Sequence, residues 1–182
     1  GTIFLDEIGE ISAPIQAKLL RVIQEKQIMR VGGTKLVPID ARIITATNKK
    51  LWELVQDGIF REDLYYRINV LELYLPPLRD RQEDIIPLFF QFLYKRLPDG
   101  CHQLEHQRTQ LNTLLCSYHW PGNIRELENF VLMLCAILPN DGSEEQAINL
   151  VAELIQDRIR KHSSFALAAS SKSMVNTEQM TL

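Results

Sequence analysis

Cysteine is scarce in this chain, with only Cys101, Cys116 and Cys135 among 182 residues. An odd number of thiols at irregular spacing excludes a disulfide framework, and a chain of this length can bury a core without one. No cleavable apolar leader stands at the start, so a reduced, cytoplasmic setting is expected. Long hydrophobic runs are also missing. No stretch approaches the ~20 apolar residues that a membrane span needs, and no membrane contact is expected. Basic charge is not in excess either: 20 Lys and Arg stand against 23 Asp and Glu, for a net charge of −3. That balance argues against non-specific duplex binding, which rests on a cationic surface. A hydrophobic content of 46% with 24% charged residues fits a globular protein. The chain starts on Gly1 rather than Met, and Ile3-Phe4-Leu5 follows at once as a buried strand, which is expected of a piece that begins inside a domain.

Three apolar strands are expected, each delivering its chain to a polar or breaking segment. Thr2 to Leu5 ends in Asp6-Glu7, Ala41 to Ala46 ends in Thr47-Asn48, and Val70 to Leu75 is closed by Pro76-Pro77. Between the first two, Pro14 suits a first helical turn, and Ile15, Leu19, Val22 and Ile23 form one helical face. Gln27 to Val31 and Leu36 to Ile39 flank Gly32-Gly33 as a hairpin. Helices are expected over Leu51 to Asp57 and Arg61 to Arg67. Strands alternating with helices indicate a parallel, doubly wound α/β layer.

Beyond Pro77 helical periodicity takes over, at Ile85 to Arg96, about His106 to Tyr118, and Ile124 to Leu138. The last is preceded by Asn123 with Glu126 three residues on, a capping-box-like start, and carries the stripe Leu127, Phe130, Val131, Leu134 and Leu138. Ser143 and Gln146 open a further helix bearing Ile148, Val151, Ile155 and Ile159. From Ser163 the small and polar composition predicts a disordered tail. The expected organisation is an α/β part at 1–80, a small all-α domain at 81–140, and a linker helix with its tail at 141–182.

Asp6 and Glu7 follow a strand, at the edge where ligands of open α/β sheets bind. One carboxylate suits Mg²⁺ and the other suits orienting a water; a solvated strand end is the alternative. Asn48 repeats the arrangement after the next strand, as a phosphate-contacting amide or as a turn residue. Arg61 and Arg67 are six apart and need not share a helical face. Their guanidinium groups suit charge spread over a phosphoryl group on another subunit, or surface pairing with Glu62 and Asp63.

Taken jointly, these segments resemble a known family. Gly1-Thr2-Ile3-Phe4-Leu5-Asp6-Glu7 resembles a Walker B segment, Ala46-Thr47-Asn48 resembles sensor I, and Phe60 to Arg67 resembles an arginine-finger segment. Leu75-Pro76-Pro77-Leu78-Arg79-Asp80-Arg81 follows, and Trp120 to Asn129 resembles sensor II. Their order is that of the AAA+ domain of sigma-54-dependent transcriptional activators, the bacterial enhancer-binding proteins, over residues 1–138 and starting at Walker B. The resemblance implies an ATPase in which Asp6 coordinates Mg²⁺, Glu7 activates the hydrolytic water and Asn48 senses the γ-phosphate. It implies that Arg61 and Arg67 act on a neighbour's ATP and that Arg125 approaches the phosphates from the helical lid. A ring, normally a hexamer, that remodels RNA polymerase holding sigma-54 is the implied assembly.

The 182 residues contain no Gly-x-x-x-x-Gly-Lys-Ser/Thr loop to cradle phosphates and no Gly-Ala-Phe-Thr-Gly-Ala-like sigma-contacting segment. By themselves they are therefore expected to be inactive, or to serve only as a subunit-interaction module. Family topology also predicts unpaired apolar strand edges here, with Ile3 to Leu5 beside Ile43 to Ala46 and Val70 to Leu75 lacking its neighbour. DNA binding is expected only through a C-terminal domain that this sequence does not include. Cys101, His102, His106, Cys116 and His119 cluster in sequence, but not at zinc-finger spacing, and zinc is disfavoured.

Overall fold

The computed structural model describes residues 1–97, 102–138 and 143–178, and the chain divides into two compact units, Gly1–Tyr74 and Leu75–Leu182. In the first unit, strand β1 (Thr2–Leu5) pairs in parallel with β4 (Arg42–Thr45), residue for residue from Thr2 opposite Arg42 to Leu5 opposite Thr45. Parallel neighbours need a crossover. Here it comprises a 3₁₀ turn (Ile8–Glu10), helix α1 (Ala13–Glu25), and the antiparallel hairpin of β2 (Gln27–Met29) and β3 (Leu36–Pro38). Helices α2 (Leu51–Gln56) and α3 (Glu62–Ile68) follow.

Val70 to Leu75 forms no strand, contrary to the sequence expectation. The apolar composition is right, but a strand is defined by its ladder, and among the described residues no backbone is hydrogen-bonded alongside it in a sheet. Its side chains stand in solvent, Val70 at 83%, Leu71 at 89% and Leu73 at 82% exposure. The sheet is thus two-stranded, with Phe4 60% exposed.

Helix α1 presents a face that only partly overlaps the expected one. Gln16 and Leu20 are buried and Leu19 and Ile23 pack beside them, while Ile15 is exposed. Leu19 and Ile23 are common to both stripes, while Gln16 and Leu20 take the places expected for Ile15 and Val22, which turns the inward direction by about 65°; one of the newcomers is an amide that hydrophobic periodicity does not register. The core of this unit is small: Ile8, Leu20, Phe60 and Leu64.

The second unit is helical. Two 3₁₀ turns (Leu78–Asp80 and Gln82–Asp84) lead into α4 (Ile85–Arg96), then come α5 (His102–Glu105), α6 (Arg108–Cys116), α7 (Asn123–Ile137) and α8 (Glu144–Glu178). The predicted stripe of α7 is wholly inside: Leu127, Phe130, Val131, Leu134 and Leu138 are buried against Phe89 and Leu93 of α4, Leu111 and Leu115 of α6, and Val151 and Ile155 of α8. Trp120 lies at the centre, its indole N–H donating to the Leu115 carbonyl at 2.8 Å.

Ser143 and Gln146 form the expected capping box, each side chain accepting the other's backbone N–H at 3.2 and 3.0 Å. The backbone of α8 is helical to Glu178, past Ser163, where the composition predicts a tail. No Gly or Pro interrupts it after Ser143, so nothing local stops the helix. No helix among the described residues is long and apolar enough to cross a membrane.

Candidate functional site

The register of β1 and β4 brings two of the predicted segments to one place. Past the last paired residues, the Ala46 N–H donates to the Leu5 carbonyl at 2.9 Å and the Ile8 N–H donates to the Ala46 carbonyl at 3.0 Å. Asp6-Glu7 and Thr47-Asn48 therefore leave the same C-terminal edge of the sheet side by side. Between the two hydrogen bonds the chain turns at Glu7, which holds φ 53° and ψ 40°. Left-handed backbone is uncommon for a residue with a Cβ and is concentrated at functional sites. The Glu7 N–H donates to Asp6 Oδ1 at 2.9 Å, leaving the other carboxylate oxygen open.

Asp6, Glu7 and Asn48 are exposed, and among the described residues neither the Glu7 carboxylate nor the Asn48 amide has a hydrogen-bond partner. Gly9, which sequence reasoning passed over, allows the close approach. A Cβ there would stand 2.9 Å from Thr47 Oγ1 and 3.3 Å from Lys49 Cβ. An ion pair of 2.8 Å between Lys49 and Glu10 adds to the junction.

Arg61 is the N-cap residue of α3 and Arg67 lies in its last turn, about 240° apart around the helix axis. Arg61 is clasped by Asp63 through two bonds, Nε to Oδ1 at 3.0 Å and a second guanidinium N–H to Oδ2 at 2.7 Å. That hydrogen bond holds the Asp63 carboxyl below its usual range and pushes the Arg61 guanidinium up. Arg67 is exposed and makes no ion pair among the described residues.

In the second unit Arg125 projects from the first turn of α7 beside an open cleft of about 410 Å³. Pro76, Pro77 and Arg81 line it together with Gly122, Asn123 and Arg125. The N-cap of α7 is Gly122 rather than the expected Asn123. Asn123, at φ 53°, uses its side-chain oxygen to accept the Leu78 N–H at 2.9 Å.

Glu126, read from sequence only as a cap, organises this end. It accepts from the Gly122 N–H and the Tyr118 hydroxyl, both at 2.8 Å, and from Arg158 of α8 at 3.4 Å. Burial, then the Glu126 bond, pushes the Tyr118 hydroxyl well above its ordinary range. A Cβ on Gly122 would stand 2.8 Å from that of Glu126, so only glycine fits.

The Cys/His cluster is divided among other contacts. His106 Nδ1 lies 3.1 Å from Glu144 and the Cys116 thiol reaches Asn112 at 3.5 Å. Cys101 lies outside the described residues, and among those described no group of three His, Cys, Asp or Glu side chains is placed to hold a metal.

Residues 1–74 match the family described as the sigma-54 interaction domain, and residues 79–166 match the AAA+ ATPase lid domain. Nitrogen fixation protein AnfA of Azotobacter vinelandii is 47% identical over 154 residues, which are 85% of this chain and 28% of AnfA. The sigma54-dependent transcriptional activator SfnR of Pseudomonas putida is 50% identical over 134 residues, 72% of this chain and 36% of SfnR. The crystal structure of NtrX from Brucella abortus in complex with ATP matches with a TM-score of 0.65 at 34% identity, over 78% of this chain and 32% of that one. The chain thus spans about a third or less of the length of these relatives.

Proposed function

Because this chain belongs to the AAA+ ATPase family of sigma-54-dependent transcriptional activators, we propose that its two units supply the hydrolytic edge and the lid of an ATP site shared between subunits. The observation that carries this reading is the joining of Asp6-Glu7 and Asn48 at one C-terminal sheet edge, through hydrogen bonds that leave their functional atoms open. Glu7 orients the attacking water by accepting its hydrogen bond, and Asn48 contributes a neutral amide at the terminal phosphate. Asp6 is the ligand for Mg²⁺. That ion is held by one or two carboxylates plus phosphate oxygens and, when bound, neutralises charge on them. A single exposed Asp fits that demand, and a closed cage of protein ligands is not needed.

Arg125 contributes positive charge from the lid of the same subunit, where the cleft beside it offers proline walls and the Arg81 guanidinium. Arg61 and Arg67 act on the nucleotide of the adjoining subunit, which suits a lone exposed Arg67. In the full-length protein this makes a ring, a hexamer by family resemblance, whose ATP turnover remodels RNA polymerase holoenzyme carrying sigma-54 in the cytoplasm. DNA is engaged outside this chain. The 182 residues alone, having no phosphate-cradling loop, do not turn ATP over.

The test uses the full-length protein. Glu7→Gln is expected to retain nucleotide while losing turnover at least a hundredfold. Arg61→Ala or Arg67→Ala, mixed with wild-type subunits, is expected to silence only the interfaces it supplies. Wild-type hydrolysis in any of the three removes that residue from the site.

A further inference from the structure

Gln16 is the one amide or charged side chain among the described residues that is buried, at 1% exposure. A buried amide persists only where its bonds are met, because each unmet group keeps its full desolvation cost. Here both ends are met. Nε2 donates to the carbonyls of Ile11 and Ile59, each at 3.0 Å, and Oε1 accepts the backbone N–H of Arg61 at 2.8 Å.

These three partners belong to two segments with chemistry to do. Ile11 closes the 3₁₀ turn that begins at Glu7, and Ile59 and Arg61 bracket the entry into α3. Phe60 between them is buried. Arg61 has no side-chain capping bond of its own at this N-terminus; its backbone N–H is tied to Gln16 of α1, while the preceding Ile59 and Phe60 N–H groups donate to the Leu54 carbonyl at 2.9 and 3.0 Å.

We propose that Gln16 is a positioning residue. It sets Arg61 at the reach required by the adjoining subunit's phosphates. This rests on the reading of Arg61 as a group acting across the interface. Misplacement of a charge-stabilising group by an ångström removes much of its effect on the chemical step and little of ground-state binding. A purely structural amide would instead lower activity independently of Arg61.

The experiment is a double-mutant cycle on ATP turnover by the full-length protein, with Gln16→Met, Arg61→Ala and both together. Gln16→Met keeps the volume and removes every hydrogen bond. It is expected to lower kcat at least tenfold with KM within about twofold, and the double variant is expected to turn over no more slowly than Arg61→Ala alone. If Gln16→Met does not fold by circular dichroism, Gln16→Asn goes through the same cycle, since it keeps the amide one methylene short of its three partners.

Losses that multiply in the double variant, a raised KM with unchanged kcat, or wild-type turnover in a folded Gln16 variant would each overturn the proposal. So would failure of both Gln16 variants to fold, which would assign the residue to the core alone. Undiminished turnover in Arg61→Ala is a different failure. It would sink the role given to Arg61 itself and leave Gln16 as the anchor of a helix without that role.

Discussion

From Leu75 onward, five helices share one core in which Trp120, Phe89, Phe130 and a further set of Leu, Ile and Val side chains are fully buried. Gly1–Tyr74, which carries Asp6, Glu7, Asn48, Arg61 and Arg67, buries only Ile8, Leu20, Phe60 and Leu64 in its hydrophobic core. It leaves Phe4 and Val70 to Tyr74 largely in solvent. A helical bundle closes over its own apolar stripes. A parallel sheet needs strands on both sides and layers on both faces before its residues go inside. Five of the six proposed site residues, all but Arg125, therefore sit on the unit with the thinner core, and the greater resistance to unfolding is expected of the other.

The largest expected effect tests whether that difference is real. The chain has two tryptophans, one in each unit: Trp52, 43% exposed against Tyr65, and Trp120, fully buried. Phe130→Ala removes a ring packed on Trp120 at 5.5 Å between centroids, and such truncations cost about 3–5 kcal/mol. In urea unfolding followed through Trp52→Phe and Trp120→Phe backgrounds, that loss is expected in the Trp120 transition alone, with the Trp52 transition unmoved and at lower urea. Equal shifts in both would mean one cooperative unit and would break the comparison.

A middle-sized effect is expected at Glu126, where a part-buried carboxylate ties α7 to α8 through Arg158 and to the preceding turn through Gly122 and Tyr118. Glu126→Ala leaves a part-buried guanidinium and a hydroxyl unmatched, and about 1–3 kcal/mol should be lost from the Trp120 transition. Tyr118→Phe is expected to cost less, about 0.5–1.5 kcal/mol. The Tyr118 hydroxyl titrates above its ordinary value, so its contribution is intact at neutral pH and is lost only as pH rises past the usual tyrosine range toward its folded value. A Tyr118→Phe penalty that stays constant as pH rises through that window would trace the cost to packing and not to the hydroxyl bond.

The legibility of the two units differed for the same physical reason. The stripe of α7 could be read because every inward position is apolar, and the Ser143–Gln146 cap because both partners are local in sequence. The places of Asp6-Glu7 and Asn48 at strand ends could be read too, since the strands are apolar and the polar residues follow at once. Val70 to Leu75 misled because strand composition says nothing about whether a ladder partner is present. Gln16 was missed because an amide turned inward breaks the pattern that defines the inward face. Gly9 and Gly122 were missed because what excludes a side chain at them is another side chain, Thr47 and Glu126 respectively, seen only once the backbone is placed.

The smallest effect falls on the pair that resembles Glu126–Arg158 most in chemistry and least in setting. Arg61 and Asp63 make a tighter contact, 2.7 Å against 3.4 Å, yet their side chains are 48% and 46% exposed where those of Arg158 and Glu126 are 22% and 14% exposed. Solvent screens such a pair and leaves it little net worth. The Arg61 bond lowers the Asp63 titration, so what stability it gives is present above the ordinary carboxylate range and is lost as pH falls through the depressed folded value.

Asp63→Asn is accordingly expected to lower the Tm of the Trp52 transition marginally at pH 7 and not at all in acid. An equal deficit at both pH values would trace the cost to packing and not to charge. ATP turnover in full-length Asp63→Asn protein should stay at the wild-type level, because a weak, exposed clasp can be exchanged for a phosphate. A clasp worth as much as the Glu126 cluster would hold Arg61 back from the adjoining subunit.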